Sequence, residues 1–157
     1  MDIDWKRLGE VRERQKTAAQ QRVASDRHAL EQSQQQARTA QEQWHREVQA
    51  KEQLWRETAS GASVSVAQMC QNGAWSRALD ARIAQAGAAV AQAVEVVNTR
   101  QATLEGSRQV LRAAAGDLEK ARQMQRKAVQ TRQRLAEQRV EDNAEEAAVQ
   151  GWLSRRA

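Results

Sequence analysis

Residues 83–118 read IAQAGAAVAQAVEVVNTRQATLEGSRQVLRAAAGDL. Within them Ile83, Val90, Val97, Leu104, Leu111 and Leu118 recur every seven residues without a gap. The positions three further on are mostly small: Ala86, Ala93, Ser107, Ala114 and Ala121. A seven-residue apolar repeat keeps returning to one face of a helix, whereas a strand needs alternation, so this is a coiled-coil seam with large and small layers. Beyond Leu118 the stripe runs less strictly through Met124, Ala128, Leu135, Val149 and Leu153. Gly87, Gly106 and Gly116 lie inside this helix, where a glycine costs about 1 kcal/mol against alanine. They suggest either close approach of a partner backbone or controlled bending.

The seam requires a partner, and the first third of the chain supplies one. A sparse stripe runs through Leu8, Val11, Ala18, Val23, Leu30, Ala37, Trp44, Val48 and Trp55, with Val23, Leu30, Ala37 and Trp44 in seven-residue register. Gln15, Asp26 and Ser33 interrupt it. A helix this polar gains most of its stability by burying its apolar face against another helix.

Composition agrees with long helices joined along thin seams. The 157 residues contain no Pro, Tyr or Phe, and the hydrophobic 40 % is largely alanine. Mean hydropathy is -0.86, so no thick globular core is expected, yet strong helix formers throughout argue against disorder. The net charge of +5 arises from 25 basic against 20 acidic residues, most of which can pair three or four positions apart on a helix surface. No apolar run approaches the ~18 residues of a membrane span, and no signal-like segment opens the chain, so a cytoplasmic location is expected. The lone Cys70 fits a reducing compartment.

Between the two helical segments, Ser60-Gly61 ends the first and Asn72-Gly73 reads as a second breaker, with one or two helical turns between them. The expected fold is all-α: a single antiparallel two-helix coiled-coil hairpin over 1–157, with helix one at about 4–58, a connector at about 59–74 and helix two at about 75–153. The longer second helix is expected to overhang. Antiparallel partners from one chain or from two bury the same stripe, so pairing within or between chains stays open. Val64, Val66, Met69, Trp75 and Leu79 fall at the turn, where they either cap the hairpin or form a docking patch for a partner.

No chemistry is legible. His28 and His45 lack a helical metal-site partner, and neither a phosphate-binding loop nor a nucleophile elbow occurs. No cofactor, metal or enzymatic activity is expected. The basic stretch RQMQRKAVQTRQR at 122–134 has no interleaved aromatic for base stacking and is followed by Glu141, Asp142, Glu145 and Glu146, so nucleic acid is a poor partner. An acidic protein surface suits it better, and direct membrane insertion is not expected.

A polar first helix, a short break, the aromatic-led restart AWSRALDARIAQAG (74–87) and the segment DLEKARQMQRKAVQTRQRLAEQRVEDNAEEAA (117–148) together resemble the FliJ/YscO family of type III secretion and flagellar export proteins. The likeness rests on the spacing of Trp75, Leu79 and Ile83, and on an ending that carries Leu118 to Lys120, then Glu137, Asp142 and Glu145. It covers nearly the whole chain. Members of that family are antiparallel two-helix coiled coils similar to the rotor stalk of F-type ATPases.

The resemblance implies a central stalk. Its paired ends enter the pore of a hexameric export ATPase, and its hairpin region touches the export gate and secretion chaperones, peripheral to the inner-membrane export apparatus. It places Trp5, Lys6, Arg7, Val11, Arg14, Arg132, Arg134 and Arg139 toward the ATPase, and Trp75 and Leu79 toward the gate. Flagellar members carry Tyr or Phe around the hairpin where this chain has Trp44, Trp55 and Trp75. That departure, with the high arginine content and the alanine-rich helix, favours the virulence-type branch. Two other readings of the residues are an export chaperone or adaptor for secreted subunits, and a self-associating structural coiled coil.

Overall fold

A computed structural model describes residues 3–61 and 65–157. It contains α1 (Trp5–Ser60, 56 residues) and α2 (Val66–Arg156, 91 residues), and no strand occurs among the described residues. The two helices pack against one another within one chain as an antiparallel α-hairpin. Two compact units are distinguished: one formed by Met1–Gln20 with Val110–Ala157, the other by Gln21–Gln109.

In the 21–109 unit the pairing runs antiparallel in a fixed order. Asn72 Nδ2 donates to Thr58 Oγ1 at 3.1 Å, Lys51 pairs with Asp80, the Trp44 indole lies against Gly87, and Ser107 Oγ donates to the Asp26 carboxylate. Each step forward on α1 meets a step back on α2. Leu79, Val23 and Leu104 are the buried apolar residues here, with Leu30, Ala37, Trp44, Ile83, Val90 and Val97 half-buried along the same seam.

The polar seam positions are satisfied rather than excluded. Ser33 is buried at 5 % exposure, and its hydroxyl donates to the Ala29 carbonyl of its own helix at 2.8 Å. Asp26 is held by Ser107 across the seam and by Arg22 at 3.6 Å on its own helix. Held by these partners, such groups favour one register over its neighbours.

In the other unit, Ala19, Leu118 and Ala121 are buried and Leu111 half-buried. Glu13 accepts from Arg122 at 2.9 Å, and Arg12 lies 3.6 Å from Asp117. The heptad register selects Ala19, not Ala18, which is exposed together with Val11. Every residue of α2 from 129 to 156 except Gly151 is exposed. The second helix thus extends beyond the first, which begins at Trp5.

The turn differs from the expected connector of 59–74, because α2 begins at Val66 and runs without a break through Asn72 and Gly73. Two local causes act. Ser65 Oγ accepts from the Gln68 N–H at 3.2 Å while Gln68 Oε1 accepts from the Ser65 N–H at 3.2 Å, a reciprocal capping box that starts the helix there. Asn72 gives its side-chain amide to Thr58 of the facing helix instead of capping a turn. Gly73 keeps a negative φ, as does every described glycine. The start of α1 carries an N-cap, the Asp4 carboxylate accepting from the Arg7 N–H at 3.1 Å.

Candidate interaction surfaces

Three exposed surfaces carry apolar or basic side chains in positions that a partner can reach. The first is at the start of α1. Ile3 and Trp5 lie beside Met124, Ala128 and Leu135 of α2, with Lys6, Lys127 and Arg132 around them. The cleft lies where α1 begins, at Trp5. Trp5 is half-buried in it. Apolar floor and cationic rim suit an acidic partner surface.

Of the residues placed here by resemblance, Trp5, Lys6 and Arg132 come together in this cleft. Arg134 and Arg139 stand exposed further along the uncovered stretch of α2. Arg7 is exposed, with its guanidinium 3.4 Å from Asp4, and Val11 and Arg14 are exposed on α1 outside the cleft. The Arg122 guanidinium is engaged by Glu13. Sequence reading missed Lys127 and Leu135 as members, although Leu135 continues the seven-residue row of Ala114, Ala121 and Ala128.

The second surface is the uncovered end of α2. Val149, Trp152 and Leu153 are 56, 51 and 55 % exposed, and at spacings of three and four residues they share one helical face. The Arg156 guanidinium stacks on the Trp152 ring at 4.3 Å. Trp152 carried no assignment from sequence, yet the Trp-x3-Arg spacing was there to be read.

The third surface is a groove at the turn, lined among others by Leu54, Glu57, Thr58, Gln68, Asn72 and Trp75. Trp75 is half-exposed, with Arg82 one turn pair away at 5.7 Å from its ring. Val66 and Met69 are strongly exposed, at 78 and 59 %, but do not line the groove. Val64 lies outside the described residues. Leu79 is a correction: at 3 % exposure it is part of the hairpin core and presents no surface, because it faces α1 one heptad-seam step after the buried Ser76. Trp55 is likewise 47 % exposed rather than in the seam, where Leu54 stands in its place, half-buried.

No group of histidine, cysteine and carboxylate side chains able to hold a metal ion occurs among the described residues. Nor is any described helix long and apolar enough to cross a membrane.

The model of one protein family, described as YscO-like protein, matches residues 5–154. The chain belongs to the YscO-like family. This is a secretion-associated structural family, which makes the chain a type III secretion-related protein. The matched span takes in almost all of both helices. No curated protein matches the chain, and no solved structure does.

Proposed function

We propose that this YscO-like chain is a non-enzymatic stalk and coupling protein of a type III secretion export apparatus. The ends of its helices bind the pore of a hexameric export ATPase, and its turn binds the export gate or secretion chaperones. It works in the cytoplasm, against the inner-membrane apparatus. The observation that carries this reading is the cleft where α1 begins: Trp5 and Lys6 of one terminal segment and Arg132 and Leu135 of the other form one basic and apolar surface. A surface built jointly by both ends is what a ring of subunits would need to grip.

Coupling then follows from differential binding. A protein that binds every nucleotide state of a ring equally shifts none of them, so the cleft and the arginines beyond it must contact successive subunits unequally. Basic residues such as Lys6, Arg132, Arg134 and Arg139 steer the encounter, while Trp5 supplies the apolar anchor. The exposed Trp75 beside its groove supports a separate contact at the turn, and that observation also favours the second reading, an export adaptor that binds secreted subunits or their chaperones.

Co-purification with the export ATPase of the same genome, with light scattering for mass and ATPase turnover as readout, tests the proposal. One chain per hexamer with raised turnover is expected, and the Lys6→Glu/Arg132→Glu variant is expected to lose both while remaining helical. A chain that ignores the ATPase yet binds secreted subunits would replace the stalk reading with the adaptor.

A further inference from the structure

The α2 side of the seam in the 21–109 unit is nearly uniform. Ile83, Val90, Val97 and Leu104 fill one heptad row, and in the row beside it Leu79 is followed by Ala86 and Ala93. In an antiparallel pair each layer joins a position from one row to a position from the other row of the facing helix. The layers are fixed by Thr58 against Asn72, Lys51 by Asp80 and Trp44 over Gly87. Stepping along both helices from these contacts sets Leu54 at Ser76, Trp44 at Ala86, Ala40 at Val90 and Ser33 at Val97.

A repeat this even permits a second fit. If each α1 residue meets the α2 residue seven positions later, a slide of about 10.5 Å, Ala40 meets Val97, Ser33 meets Leu104 and Trp44 meets Ala93. Leu54 meets Ile83 in place of Ser76, and the exposed Arg100 passes from Leu30 to Ala37, so the apolar pairing does not shrink. Val94, 47 % exposed, comes to stand where Gly87 now lies against the Trp44 indole. The opposite slide does not work, because it drives Trp44 onto Leu79 and puts Lys51 against Asn72.

Three polar contacts hold the observed register in this unit: Asp26 with Ser107, Lys51 with Asp80 and Thr58 with Asn72. Contacts of this kind are individually weak near a surface. At the turn, residues 65–71 are all exposed, so the opening turns of α2 bury no apolar surface that unwinding would lose. The slide leaves them without α1 beside them, and so short a helix does not persist alone. It also frees the Asn72 amide from Thr58, and Asn72-Gly73 then reads as a helix start.

We infer that the hairpin has a second register, one heptad from the observed one, in which the seam slides and α2 begins after Asn72. The slide and the unwinding are one event, so a partner that binds the turn better in one register draws the seam with it. The inference holds whatever the two ends of the chain bind.

Cysteine pairs in a Cys70→Ser background read the register directly. A pair one heptad out of register lies about 10.5 Å from its bridging position, beyond the ~7 Å Cα separation that a disulfide spans. Under mild oxidation of dilute protein, Ala40→Cys/Val90→Cys is expected to form its intrachain bridge at once. Ala40→Cys/Val97→Cys is expected to bridge about 10- to 1000-fold more slowly, drawn from a minor state of about 0.1–10 %. Ala40→Cys/Ile83→Cys, which reports the excluded slide, is expected to stay reduced. Adding Lys51→Ala/Asn72→Ala removes two of the three contacts and is expected to speed the second bridge about tenfold and leave the third unformed. Once bridged, the 40–97 variant is expected to lose amide protection at 66–72 and keep it at 79–93. A second bridge no faster than the third overturns the inference, as does equal acceleration of both. Protection at 66–72 that survives the 40–97 bridge overturns it too.

Discussion

At the scale of single residues, Gly87, Gly106 and Gly116 of α2 do different things from one another. A Cβ at Gly87 would sit 3.5 Å from Trp44 Nε1, an ordinary contact, while at Gly106 and Gly116 it would meet nothing within 4 Å. Close approach of a partner backbone therefore explains neither Gly106 nor Gly116. Both positions are exposed, so Gly106→Ala and Gly116→Ala are each expected to stabilise the fold by about 1 kcal/mol through helix propensity and reduced unfolded-state freedom. Urea midpoints measure this, and a loss of stability in either variant would reveal a packing or bending role. Leu118, only 2 % exposed, is the contrasting case. Leu118→Ala is expected to cost about 2–3 kcal/mol, the low end of the usual range because a two-helix interface relaxes easily around a cavity. Leu104→Asp, which puts a carboxylate at a site 4 % exposed, is expected to abolish most helical circular dichroism at 25 °C. Trp75→Ala is expected to leave that signal unchanged, since the indole is half-exposed.

At the scale of elements, the repeat from Ile83 to Leu118 was legible because six large apolar residues at one heptad position leave no other periodicity open. The first helix was legible in part. Val23, Leu30, Ala37 and Trp44 mark its seam, but Lys51 and Thr58 continue the same row with polar side chains whose partners, Asp80 and Asn72, lie on the other helix. No local pattern announces such cross-helix satisfaction. The same cause hid the true start of α2: Asn-Gly is a turn signal only while the asparagine side chain is free to bend back on its own backbone. At the surface sites, sequence placed Trp5, Lys6 and Arg132 where the fold does bring them together, but it could not tell the exposed Trp75 from the buried Leu79, which are four residues apart. Ser65→Ala, which removes half of the capping box, is expected to lower stability by about 1 kcal/mol. Amide exchange localises the effect: protection is expected to fall within 66–73 and to remain at 79–104. Amides of 136–156, a helix with no covering partner, are expected to exchange far faster than those of 104–121, because an isolated helix of that length is marginal in water.

For the whole molecule, the charge balance and the family membership bear on different questions. Membership assigns the chain to type III secretion, while a net charge of +5 spread over many pairs governs how association responds to salt. If the basic cleft at the start of α1 is the principal ATPase contact, raising salt from about 50 to 500 mM is expected to weaken that complex markedly, because exposed pairs are screened once the Debye length falls to a few ångströms.

Cys70 is the only thiol of the chain, and it stands exposed in the opening turns of α2. A fluorophore or spin label coupled through a maleimide would therefore attach at one known place near the turn, in the wild-type sequence. The molecule comes with its own optical address, and its rotational tumbling, free or captured by a partner, can be followed from there.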